Sequence, residues 1–150
     1  MCTGRTESRW TAPCPIPVSL RRGQLTSLVE RTNALRRESG VDALGNSALL
    51  NQAAQVRAEE MAAATVYSHT RPDGSAANTV TDSPYTGENI HRVSLELLEH
   101  TGQTVAESVM ETWSSSAVHR ANMLDSRYGS FGVGLARGVN DSGQACWYCV

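Results

Sequence analysis

The chain has no excess of charge of either sign. Its 150 residues carry 13 Lys and Arg against 15 Asp and Glu, a formal net charge of −2 spread along the length. Such a surface gives no one-signed field of the kind that recruits nucleic acid or anionic lipid, so neither is an expected partner. Long apolar runs are missing too: nothing approaches the ~20 residues that a membrane-spanning helix needs. The first twenty residues also lack the apolar core of a signal peptide, so no export leader is visible in this chain. Cysteine is absent from the whole middle, and the four present, Cys2, Cys14, Cys146 and Cys149, stand at the two ends. Cys2 and Cys14 are too far apart to form the second close pair of a zinc ribbon, which leaves disulfides or free thiols. Cys146 and Cys149 fall in a segment that reads as a strand, where residues three apart point to opposite faces, so a bridge between them would be strained.

The length suits one domain, which at this size buries roughly two-thirds of its unfolded surface. Residues 1–22 hold three prolines and scattered arginines without apolar periodicity. They read as a disordered tail or linker, with order beginning near Gln24 and the domain running over residues 23–150. Leu25, Leu28, Val29, Thr32 and Leu35 form a helical stripe that Gly40 stops. A second helix starts near Ser47, with Leu50, Ala53, Ala54, Ala58 and Met61 on one face. The span from Ser68 to Gly87 is rich in Gly, Pro, Asp, Asn, Ser and Thr, and loops of that length tend to be functional or mobile. Thr104 and Glu107 form a capping box ahead of the stripe Val105, Val109, Met110 and Trp113. A further short helix is expected over residues 117–124. Residues 129–138 and 144–150 read as two strands joined by the turn 139–143, a hairpin. Helices first and strands last favour an α+β layered domain over alternating βαβ units.

Four positions could carry chemistry: His69, Glu88, Ser116 and His119. Two imidazoles and one carboxylate are a set able to supply three protein ligands to an open divalent-metal site. The plain alternative is a pair of solvated or hydrogen-bonded histidines. Ser116 and His119, three apart on a helix, also invite a nucleophile-and-base reading. No acid is placed by sequence to orient His119, however, and no oxyanion-type glycine turn surrounds Ser116, so a helix-capping role for the serine is the simpler one. His91 reaches either the same cleft or the surface; alternation with Glu88 and Ile90 favours the surface. His100 is expected to face solvent. Asn33 and Arg36 share a helical face and read as a structural network, because a buried arginine needs partners. Trp113 reads as core.

Taken in order, these segments resemble the signature blocks of the CAP superfamily (SCP/TAPS) in its bacterial form. The blocks are Asn33-Ala34-Leu35-Arg36 with Gly40; Leu50, Ala53-Ala54 and Met61; and Tyr67-Ser68-His69-Thr70-Arg71-Pro72-Asp73-Gly74. They continue with Gly87-Glu88-Asn89-Ile90, Trp113, Ser116-Ala117-Val118-His119-Arg120-Ala121-Asn122-Met123-Leu124, Gly132-Val133-Gly134 and Trp147-Tyr148. The resemblance implies a three-layer α-β-α sandwich, a monomer, and an extracellular or cell-envelope location. It also implies a cleft of two histidines and two acids that binds a divalent metal (zinc, calcium or magnesium) in some members. Here the histidines map to His69 and His119 and the first acid to Glu88, while the position of the second acid holds Ser116. A serine hydroxyl is a poor zinc ligand and no carboxylate base, which weakens both tight metal binding and hydrolysis. The expectation is a non-catalytic domain binding a ligand, partner or weakly held divalent metal, with a lipid or cell-envelope component among the candidates. A metal-dependent hydrolase or peptidase using the same cleft is the alternative, and an interaction scaffold with incidental histidines the third. The closing strand ends earlier than the family pattern, so clipping at both ends and an unpaired Cys149 are expected.

Overall fold

The computed structural model describes residues 17–81, 83 and 86–150. Cys2 and Cys14, and with them the pairing of all four cysteines, lie outside the described residues. The first helix, α1, spans Val18–Glu38, so residues 18–22 are helical rather than part of a tail. The apolar stripe could not show this turn because it buries nothing: Val18 is 67% and Leu20 51% exposed. Pro17, just before the helix and lacking an N–H, suits a helix start. At the other end Arg36, 1% exposed, donates to the carbonyls of Asp42 (2.6 Å), Met123 (2.7 Å) and Asp125 (3.1 Å). Asn33 meets the Leu44 backbone through both its oxygen and its nitrogen. The Asn33 and Arg36 network read from the sequence is therefore present.

The second helix, α2, covers Ala48–Ala64 and is capped by the Ser47 hydroxyl, which accepts from the Leu50 N–H. Strand β2 (His91–Ser94) follows the long loop, then α3 (Leu95–Thr101), α4 (Val105–Ser115) with its Thr104–Glu107 capping box, and α5 (Ala117–Leu124). Before α2 lies the two-residue strand β1 (Gly45–Asn46), which pairs in parallel with β3 (Ser130–Phe131). The hairpin β4 (Leu135–Val139) and β5 (Ala145–Cys149) completes an antiparallel sheet ordered β2-β5-β4.

The segment read as one strand over residues 129–138 is broken between β3 and β4. Gly132 and Gly134 cause the break by letting this chain lie on the α2 backbone: a Cβ on Gly132 would sit 2.0 Å from the Leu50 carbonyl carbon, and one on Gly134 2.3 Å from that of Ala54. The Gln55 side chain then serves both edge groups of Leu135, accepting from its N–H at 3.1 Å and donating to its oxygen at 3.0 Å. An amide on α2 thereby closes a sheet edge that would otherwise be open.

Central strand β5 is buried on both faces. Cys146 and Tyr148 pack with Met61 and Ile90 beneath α2. Trp147 and Cys149 join Leu28, Val93, Val105, Val109 and Trp113 on the other side. The two cysteines thus point into opposite layers as the strand alternation required, and neither forms a disulfide among the described residues. Helix α2 covers one face of the sheet, and α3 and α4 cover the other with α1 packed beyond them. This is the expected α+β sandwich.

Candidate functional site

Three segments meet where the loop after α2, the extended segment leading into β2 and the start of α5 come together. The approach of the last two depends on Gly87, where a Cβ would lie 2.1 Å from Asn122 Oδ1. Asn122 in turn donates to Asn89 Oδ1 (2.9 Å), and Asn89 donates to the backbone oxygen of His119 (3.1 Å). Two asparagines thus lock α5 against the Glu88 segment. The Ile90 carbonyl takes hydrogen bonds from both Tyr67 Oη (3.0 Å) and Trp113 Nε1 (3.2 Å), using both of its acceptor positions. Trp113 is buried as expected, and its indole nitrogen also anchors the segment that carries Glu88.

His69 and Glu88 are in contact, with Nδ1 2.8 Å from Oε1. The histidine side chain is 58% exposed and the carboxylate 14%. On its buried side Glu88 is gripped by Arg57, whose Nε lies 3.0 Å from Oε2. Arg57 also donates to the Ser68 carbonyl (2.8 Å) and to Glu60 (3.1 Å). Glu60 bonds Arg71 as well, a pairing that holds its carboxyl below the ordinary range. Arg71 continues to Thr79 Oγ1 at 3.0 Å, and the Ala77 N–H returns to the His69 carbonyl at 3.1 Å. The described part of the long loop is therefore held by a chain of hydrogen bonds rooted in α2.

His119 is half-buried on α5. Burial lowers its pKa first and the nearby His69 lowers it further, so His119 favours the neutral imidazole at neutral pH. Its Nδ1 is buried and makes no hydrogen bond among the described residues. Ser116 stands at the N-cap of α5 but makes no side-chain cap bond, which removes the capping role expected of it. No bond joins it to His119 either, so the nucleophile-and-base pair is not assembled.

His91 departs from the surface position favoured by alternation. It does face away from Ile90, but in a three-layer fold that second side is covered by α4, and Nε2 lies 3.3 Å from Ser108 Oγ. Desolvation lowers its pKa to about 4, with His119 adding to the effect. His100 is exposed as expected. Sequence reasoning passed over Arg57, although the signal was there: a charged residue interrupts the apolar stripe Ala53, Ala54, Ala58 and Met61 of α2. The buried-arginine argument applied to Arg36 applies to it equally.

The donor set does not suit a tightly held divalent metal. Glu88 Oε1 is engaged by His69 and Oε2 by Arg57, and Ser116 stands where a second carboxylate would be needed. Among the described residues no three His, Cys, Asp or Glu side chains are grouped to share one ion. Two surface depressions among the described residues lie against α1 and between α1 and α2.

The layered fold, with α2 on one face of the sheet and α3 and α4 on the other, is a sandwich of the SCP type. A profile of the cysteine-rich secretory protein (CAP) family matches residues 29–150, and the chain belongs to that family. The Bacillus subtilis protein YkwD is 28% identical over 112 residues, covering 71% of this chain, which spans 40% of YkwD's length. Among solved structures, an extracellular SCP-domain protein of Bacillus anthracis superposes with a TM-score of 0.62 at 15% identity, covering 91% of this chain and 44% of its own. An outer surface protein of Borrelia burgdorferi gives 0.60 at 14% identity, over 85% and 90% of the two chains. At these identities the likeness establishes the fold. Among the described residues no helix is long and apolar enough to cross a membrane.

Proposed function

We propose that this is an extracellular CAP domain whose His69, Glu88 and His119 site binds a ligand or partner without catalysing a reaction on it. The observation that carries the reading is the buried His119 Nδ1, which has no hydrogen bond among the described residues, on a ring near enough to His69 for the charge of one to lower the pKa of the other. A buried polar atom without a partner is costly; Thr86 Oγ1, beside Gly87, shares that state among the described residues, and a small shift of the His119 ring on binding would let a ligand satisfy its nitrogen. Support for a binding rather than a hydrolytic role comes from Glu88, which is tied to Arg57 and His69, and from the lack of a Ser116–His119 hydrogen bond among the described residues. The ligand class that fits is one with hydroxyl or amide groups, of the kind offered by cell-envelope glycans and peptides. Extracellular placement draws on the family and on the Bacillus anthracis relative.

The test is titration of the isotope-labelled protein with peptidoglycan fragments, lipid head-group analogues and zinc, followed by amide NMR. Shifts confined to residues 66–70, 87–91 and 116–122, and lost in a His69→Ala/His119→Ala double variant, are expected for an envelope ligand. Zinc shifting the same amides at equimolar metal, or turnover of any fragment, would return the reading to a metal-assisted hydrolase. No response to any probe would leave the scaffold reading.

A further inference from the structure

Arg57 sits on the buried stripe of α2 with its side chain 1% exposed. A Met or Leu there would pack without the several kcal/mol that burial of a charge requires, so the guanidinium has to be accounted for by what it holds. It holds three acceptors that frame the histidine site. Nε meets Glu88 Oε2 at 3.0 Å, Nη2 meets the Ser68 carbonyl at 2.8 Å, and Nη1 meets Glu60 Oε2 at 3.1 Å. Ser68 immediately precedes His69, and Glu88 contacts the His69 ring through its other oxygen. One buried group therefore governs both the backbone and the side-chain partner of the exposed histidine.

We infer that Arg57 is the positioning residue of the site: by fixing the Glu88 carboxylate and the Ser68 carbonyl together, it holds His69 in the Nδ1–H tautomer with Nε2 bare toward a ligand. The inference deepens the binding reading above and rests on it for the importance of Nε2. A carboxylate has only acceptors to offer, so the proton in the 2.8 Å contact belongs to His69 Nδ1. A neutral imidazole with Nδ1 protonated carries its lone pair on Nε2. Lysine cannot replace the arginine, because one ammonium lacks the planar fork that reaches three acceptors at once. His119 is held through Asn89 and Asn122 instead, which makes it an internal control.

The experiment is long-range proton–nitrogen NMR of the histidine rings at alkaline pH, on the wild type and on Arg57→Lys and Arg57→Met, with His69 assigned from His69→Ala. In the wild type the His69 Nδ1 resonance should be that of a protonated nitrogen and Nε2 that of a bare one. In Arg57→Lys the two signals should converge as the ring averages between tautomers, while the His119 signals keep their wild-type positions. A proton on Nε2 in the wild type overturns the inference without any variant. So does an unchanged His69 tautomer in folded Arg57→Lys, or an equal displacement of His69 and His119, which would make Arg57 a general core strut. Arg57→Met adds the case without charge; if it does not fold, the wild type and Arg57→Lys decide. Ligand titration is read separately, so its failure would sink the binding reading and leave the tautomer result intact.

Discussion

Lowering the pH should destabilise this protein through His91, and the size of the effect follows from its burial. The ring is half-buried under α4 beside Ser108, and desolvation carries its pKa from 6.5 to about 4. The unfolded chain binds a proton at His91 near pH 6.5, whereas the folded one resists until pH falls to about 4. The stability that His91 contributes is therefore fully present above pH 6.5 and is lost as the pH drops through that window. With a pKa unit equivalent to about 1.4 kcal/mol, the loss from this residue is about 2 kcal/mol at pH 5 and about 3 kcal/mol at pH 4. Those losses are a large share of the ~5–15 kcal/mol that holds a domain together. Urea denaturation at a series of pH values from 8 to 5 should show the decline in the wild type. In His91→Gln, which keeps a polar side chain near Ser108, it should be flatter by about 2 kcal/mol. Comparing the two proteins cancels carboxylates such as Asp125, whose pairing with Arg127 holds it down to about 2. Parallel pH profiles in the two proteins would refute the assignment of a buried, proton-resisting histidine.

Gly132→Ala should be among the most damaging single-methyl additions, because the new Cβ would meet the α2 backbone 2.0 Å away, where no side chain can swing aside. A loss of about 3 kcal/mol or failure to fold is expected by denaturant titration, and wild-type stability would show that α2 does not lie on this chain. Arg36→Leu leaves the carbonyls of Asp42, Met123 and Asp125 without their donor. It should cost about 2–4 kcal/mol, with faster amide exchange at residues 123–125 as the local sign. Thr104→Ala removes the capping box of α4 and should lower the denaturation free energy by about 1 kcal/mol, with no change in histidine titration.

How much of this was legible in the sequence depended on whether a signal was local. The stripes of α1, α2 and α4, the capping box and the closing hairpin were readable because side-chain period and turn chemistry are set within a few residues. The four site positions were picked out by residue type and by resemblance, but nothing local could show that His69 and Glu88 come into contact. Helix α3, strand β1 and its parallel pairing with β3 were not found: a seven-residue helix and a two-residue strand carry too few residues to establish a period. The early start of α1 escaped for a related reason, since its first turns are exposed and leave no apolar pattern.

What the sequence by itself determined is the order and type of the main elements, the burial of Trp113, the Asn33–Arg36 network and the opposite facing of Cys146 and Cys149. Each follows from geometry within one helix or strand. The tertiary structure alone decided that His91 is covered, because whether the second face of a strand meets water depends on another layer. It also decided that Glu88 is clamped by Arg57 across 31 positions of chain. Contacts between elements are chosen by packing of the whole chain, and no window of residues contains them.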